Sequence, residues 1–428
     1  MSQPPATSFE ATPEFAQRCD AADPLRGWRA RFAQPTDAHG APLTYLCGHS
    51  LGLEPLSARE RVLEELDDWA RLGVRGHEAA RRPWIGYHEC LAAGLERLTG
   101  ARAGEVVAMN SLTINLHLML ASFYRPRGER TKMLLETGAF PSDRHAVASQ
   151  LAWHGLEPHA ELVELAPQSG ELLSIEVLEE HLRRHGERIA LVLWPGVQYR
   201  TGQAFDLARV AQAARRCGAA VGFDLAHSIG NLPLALHDSD ADFAVWCSYK
   251  YLNAGPGAIG GCFVHQRHAR STALPRLAGW WGHDASTRFA MRPEFTAAAG
   301  APGWQVSNPP ILAAAPLLAS LEIFGAAGIQ ALRAKSVALT GYLEFLLRPL
   351  AVRQLTPQDP AERGCQLSLR IAAPAPRARR VFERLGAQGI VCDWREPDVI
   401  RVAPVPLYNS FADVHRFATQ LAGELAAA

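Results

Sequence analysis

No charge imbalance, no long apolar run, no internal repeat and no cysteine cluster occur in this 428-residue sequence, and each absence removes a class of function. Lys and Arg together number 43, as do Asp and Glu, so no global field draws the chain to nucleic acid or to an anionic membrane. No apolar stretch reaches the roughly 18 residues that a spanning helix needs. The opening MSQPPATSFEATPEF has no basic segment followed by an apolar one, so no secretory leader is expected. The eight cysteines (Cys19, Cys47, Cys90, Cys217, Cys247, Cys262, Cys365 and Cys392) form neither a C-x-x-C pair nor a Cys/His set at zinc spacing. No metal is therefore expected, and reduced thiols in the cytoplasm are.

What is present is an ordinary globular composition, 48% hydrophobic and 20% charged, with length enough for two domains. Residues 1–40 read as an irregular lead-in with a short helix. The spacing of Val62, Leu63, Leu66 and Trp69 predicts an amphipathic helix over 58–72, and a second over 87–98 stops at Gly100. From about residue 105 short apolar strands alternate with helices: EVVAMN, KMLLE, AELVELA, IALVLW, AVGFDLA, DFAVWCS and AIGGCFVH. That alternation predicts an α/β fold, a mostly parallel sheet with helices on both faces. Ala- and Leu-rich residues 311–350 predict one long linking helix, followed by a smaller carboxy-terminal α+β domain. The expected division is a 1–57 segment packing with the small domain, a large domain over 58–310, and the linking helix plus small domain over 311–428.

In parallel sheets ligands bind outside the carboxyl ends of the strands. Four features fall there. Asp224 ends VGFDLAHS, with His227 three residues on. Lys250 follows DFAVWCS. Ser111–Thr113 opens a helix, where backbone N–H groups and the dipole favour an anion. Phe140-Pro141-Ser142-Asp143 follows a strand and a loop. Singly, each has an ordinary reading: a surface lysine, a capping acid, a helix cap, a core aromatic. Together they describe a site for pyridoxal 5′-phosphate. Its phosphate suits a helix start and its ring suits Phe140. Its ring nitrogen stays protonated beside a carboxylate, and its aldehyde condenses with a lysine amine. GPGAIG at 255–260 matches G-x-G-x-x-G, but a strand follows it where a dinucleotide site needs a helix.

Along nearly its whole length the chain resembles the kynureninase family, within the fold-type I pyridoxal-phosphate superfamily. The likeness is carried by YLCGHSLGLEP (45–55), RPWI (82–85), SLTINLHLML (111–120), FPSD (140–143), FDLAHSIGN (223–231), CSYKYLNAGPG (247–257), GWWGH (279–283), SNPPIL (307–312) and IRVAPVPLYNSF (400–411). The resemblance implies that Lys250 carries the cofactor and that Asp224 pairs with the ring nitrogen, with His227 helping to hold the site. Leu112, Thr113 and the Tyr249 hydroxyl would bind the phosphate end. Phe140 would stack on the ring, with Pro141, Ser142 and Asp143 beside it. Trp280 and Asn308 would come from the neighbouring subunit of a homodimer with shared active sites, and Arg401 would take the substrate carboxylate.

Two departures stand out: Pro195 replaces a serine that touches the cofactor in some relatives, and His49 replaces a usual asparagine. The activity implied is hydrolysis of the Cβ–Cγ bond of L-kynurenine or L-3-hydroxykynurenine to L-alanine and an anthranilate, with Lys250 and Tyr249 catalytic. Ser50, His77, Ser307, Asn308 and Arg401 would contact substrate, and His77, Ser307 and Asn308 incline the expectation toward the 3-hydroxy compound. The alternative is another fold-type I enzyme, such as a class V aminotransferase or a cysteine desulfurase, for which Cys365 is the candidate thiol.

Overall fold

In the computed structural model, which describes residues 9–427, the strand–helix alternation closes into one seven-stranded sheet. A two-residue strand, β1 (Thr44–Tyr45), precedes it. The sheet itself comprises β2 (Val106–Ala108), β3 (Lys132–Glu136), β4 (Leu162–Leu165), β5 (Ile189–Pro195), β6 (Ala220–Asp224), β7 (Phe243–Trp246) and β8 (Gly261–Val264). Their order is β2-β8-β7-β6-β5-β3-β4. All neighbours run parallel except β8, which is antiparallel to both β7 and β2. The Gly255–Gly257 bend makes that reversal possible, both glycines holding positive φ (+82° and +73°). β6, β7 and β8 are apolar because helices and loops cover both their faces, and nearly all their residues are buried.

Register decides where the chemistry falls. Pro195 is level with Asp224, and Asp224 with Val245, so the loops after β5, β6 and β7 leave the sheet at one edge. The strand order also reverses beside β5, with β6 and β7 on one side and β3 and β4 on the other. Such a reversal opens a crevice at the carboxyl edge.

The single helix expected over 311–350 is instead two, Ile311–Ala327 and Ile329–Leu347, bent by 80°. Gly328, at φ +77°, is the break. An alanine-rich flank hides such a stop, since one glycine in a strong helical pattern reads as a modest penalty. No single helix among the described residues is long and apolar enough to cross a membrane.

The second sheet is antiparallel, ordered β12-β13-β10-β9, from β9 (Val352–Gln354), β10 (Leu367–Ile371), β12 (Asp393–Arg395) and β13 (Val399–Val402). The short β11 (Ile390–Val391) pairs instead with β1, in parallel. Helix Pro13–Ala22 joins the same region: Phe15 lies 5.5 Å from the ring of Tyr342, and Asp20 accepts the first N–H groups of helix Phe411–Ala427 at 2.7 and 3.0 Å. A carboxylate at a helix start is favoured by the dipole. The first eight residues of the lead-in lie outside the described residues.

Candidate active site

The chain has only three lysines: Lys132, Lys250 and Lys335. Lys132 reaches the Ala160 carbonyl and Glu161, and Lys335 pairs with Asp23 at 2.7 Å. Lys250 has no carboxylate partner among the described residues. Its Nζ lies 3.1 Å from Nε2 of His227 and 5.7 Å from the centre of the Phe140 ring. The loop that presents it is braced by the segment before residue 53, where the Gly52 N–H donates to the Tyr249 carbonyl at 2.8 Å. A Cβ at Gly52 would fall 2.3 Å from the Lys250 carbonyl oxygen, so the approach requires glycine.

Two helix starts converge opposite. Helix Leu112–Phe123 begins after Ser111, and helix Pro141–Trp153 begins after Phe140 with Pro141 at its first position. The Thr113 and Ser142 hydroxyls touch at 2.8 Å, in first helical turns, where N–H groups lack the usual intrahelical partner. Such a junction suits a phosphate.

At the other end stand three carboxylates: Asp224 at the end of β6, Asp143 in the first turn of helix Pro141–Trp153, and Glu136 at the end of β3. Asp224 accepts from the Ala226 N–H at 2.7 Å. Burial, and then the charge of Asp224, push the Asp143 carboxyl well above its usual range, and Oδ1 of Asp143 is buried without a hydrogen-bond partner. Burial, and then Asp224, push Glu136 up from 4.5 to about 8. Ionising these acids together is disfavoured by burial and mutual repulsion, and a cationic guest would relieve that repulsion.

Glu136 yields a pH prediction. Between its ordinary value and about 8 the folded protein holds a proton that the unfolded chain has lost, so stability falls as pH rises through that window. Full expression of the shift corresponds to at most about 5 kcal/mol. Glu136→Gln is expected to flatten the decline in melting temperature of the cofactor-free protein between pH 5 and 8. An unchanged slope contradicts the assignment.

Leu112, Thr113, Glu136, Phe140, Ser142, Asp143, Asp224, His227, Tyr249 and Lys250 share one narrow cleft of ≈ 70 Å³ with Pro195, Val197, Tyr199 and Ala226. A larger groove of ≈ 670 Å³ runs along Phe205, Leu207 and Leu234, but it gathers none of these groups. Sequence reasoning missed Glu136, although it carries the signal that singled out Asp224, an acid closing an apolar strand. Tyr199 was also missed. It projects from the loop after β5 with its ring 5.2 Å from Phe140, edge to face.

Other expected residues lie elsewhere in the protomer. Arg401, 1% exposed, is held by Asp393 at 2.9 Å and donates to the Tyr199 carbonyl at 2.7 Å, one layer behind the cleft wall. Ser50 sits on the loop that leads to Gly52. His77 is exposed beside Trp84. Trp280, Ser307 and Asn308 are exposed on two adjoining loops, joined where the Trp281 N–H meets the Val306 carbonyl at 3.4 Å. None of these six lines the cleft.

A family model described as the kynureninase C-terminal domain matches residues 332–421. A curated relative named kynureninase, from Xanthomonas euvesicatoria pv. vesicatoria (strain 85-10), is 60% identical over 407 residues, covering 94% of this chain and 96% of its own. Another, from Xanthomonas campestris pv. campestris (strain B100), is 58% identical over 405 residues, covering 94% and 95%. Among solved structures, the cysteine desulfurase CsdA from Escherichia coli superposes with a TM-score of 0.76 at 19% identity, covering 94% of this chain and 98% of that one. The cystine C–S lyase C-DES, in complex with cysteine persulfide, gives 0.75 at 21%, covering 89% and 97%. At such identities these two report the fold alone.

Proposed function

Because the chain belongs to the kynureninase family, we propose that it binds pyridoxal 5′-phosphate and hydrolyses the Cβ–Cγ bond of a kynurenine-type amino acid to L-alanine and an anthranilate. The observation that carries the reading is Lys250, a lysine without a carboxylate partner, set between an anion-binding helix junction and a buried acidic cluster.

The residues fit the cofactor at each end. The Thr113 and Ser142 hydroxyls, with the N–H groups around them, suit the phosphate. The Phe140 face suits the ring. The unpartnered Oδ1 of Asp143 and the adjacent Asp224 suit a protonated ring nitrogen. Bound there, pyridoxal phosphate supplies an electron sink for charge developing at the substrate α-carbon.

The chain's own groups do the rest. Lys250 anchors the cofactor, and its amine removes and returns the α-proton, oriented by His227 at 3.1 Å. Burial, then the neighbouring Cys247, raise the Tyr249 phenol, so it stays protonated at neutral pH and donates, to the phosphate or to the substrate carbonyl oxygen. Arg401, held at the Tyr199 carbonyl one layer behind the cleft wall, is the residue proposed to take the substrate carboxylate. A desulfurase would need a mobile, reactive thiol. Cys365 is fully buried, its thiol pushed up to about 12, and its N–H is fixed to Asn231 at 3.0 Å.

The further reading is a homodimer in which Trp280, Ser307 and Asn308, exposed on adjoining loops, complete the partner's cleft together with His77. Sedimentation as a monomer would exclude it. Eight unpaired cysteines suit a reducing cytoplasm, where the reaction serves tryptophan breakdown or NAD precursor synthesis. For substrate, His77, Ser307 and Asn308 favour 3-hydroxykynurenine, because polar groups placed for a hydroxyl penalise the analogue without one. The test is kcat/KM on both compounds, read by anthranilate fluorescence and alanine release. We expect cleavage of both with preference for the 3-hydroxy compound. Equal efficiencies remove the preference, and no cleavage of either removes the function.

A further inference from the structure

His49 is fully buried, yet neither of its ring nitrogens has a hydrogen-bond partner. Buried polar atoms are almost always paired, and an unpaired one carries a desolvation cost. The loop that holds it lies in the seam between the domains: the Ala403 N–H donates to the Leu46 carbonyl at 2.9 Å, and the Gly52 N–H to the Tyr249 carbonyl at 2.8 Å. The His49 ring stands 6.5 Å, centre to centre, from His227, whose Nδ1 is also buried without a partner.

The surroundings are cationic. Burial, and then the charges of Arg401, Arg395 and Lys250, hold His49 neutral. Cys47 and Asp393 place ligand atoms within 4.8 Å of it, a grouping that superficially suits a metal ion. Asp393, however, is already engaged by Arg401 and Arg395, each at 2.9 Å. Three cations against that one carboxylate suit an anion instead.

Where Nε2 of His227 accepts from the Lys250 nitrogen, the His227 ring proton sits on Nδ1. Neither that Nδ1 nor either nitrogen of His49 has a partner, so the His49 N–H is free to donate to a ligand. Tyr199 forms part of the cleft wall and its carbonyl is bonded to Arg401, so the seam that holds His49 adjoins the cleft.

We propose that His49 binds substrate, its ring N–H donating to the α-carboxylate beside Arg401. The assignment rests on the function proposed above and adds a residue to it. The test is a spectral titration of cofactor-loaded protein with L-alanine and with ethylamine, the same molecule without its carboxylate. His49→Ala is expected to weaken L-alanine about 10- to 100-fold, the scale of one hydrogen bond to a charged group, and to leave ethylamine within about twofold. His49→Asn, which keeps a side-chain donor, restores most of the alanine affinity. If His49→Ala gives no soluble protein, His49→Gln and His49→Leu make the same comparison between donor and no donor. Equal weakening of both ligands, or no change in either, overturns the assignment alone. A wild-type protein that responds to neither ligand overturns the cofactor reading and the assignment with it.

Discussion

Lys250→Ala is expected to lower kcat by at least about 10⁴-fold, the upper end of what proton transfer by one side chain contributes, and to leave the fold intact. The two outcomes separate because the amine has little structural work to do. It makes one hydrogen bond, to His227, and no ion pair. Deleting it also removes a positive charge that disfavours protonation of both His227 and His49. The melting temperature of the cofactor-free variant is therefore expected to match or slightly exceed that of the wild type. Turnover near wild-type levels refutes the catalytic assignment, and loss of folding refutes the account of what the side chain does.

Asp224→Asn is expected to cost about 10²- to 10⁴-fold in kcat, again without unfolding. An amide can still accept the Ala226 N–H at the position of Oδ1, so the turn after β6 survives. It cannot hold a proton on the cofactor's ring nitrogen, since that needs a nearby negative charge. The variant also removes the like charge that helps to raise Asp143 and Glu136, so both carboxyls should titrate closer to their ordinary range. Steady-state kinetics and the pH dependence of the cofactor absorbance measure the two effects. A variant with unaltered kcat shows that Asp224 does not govern the ring nitrogen.

How much of this was legible in the sequence depends on where each residue lies. Asp224 and Lys250 stand at or just beyond the ends of apolar strands, and a parallel sheet brings such ends to one edge whatever the loops do. Thr113 and Ser142 open helices, where an anion site follows from backbone geometry. Tyr199 was hidden because its position depends on the path of the loop after β5, which no periodicity encodes. The reversed direction of β8 was hidden because an apolar strand reads alike in either direction. Gly328 was hidden by its alanine-rich flanks. Trp280, Ser307 and Asn308 lie outside the protomer's own cleft, and only the resemblance singled them out.

The most direct test of the central claim is borohydride reduction of the cofactor-loaded protein followed by peptide mapping. With just three lysines in the chain, the result is unambiguous. A pyridoxyl group on Lys250, with Lys132 and Lys335 unmodified, is the predicted result. A label on either of those two, or stable cofactor binding with no labelled lysine, contradicts it.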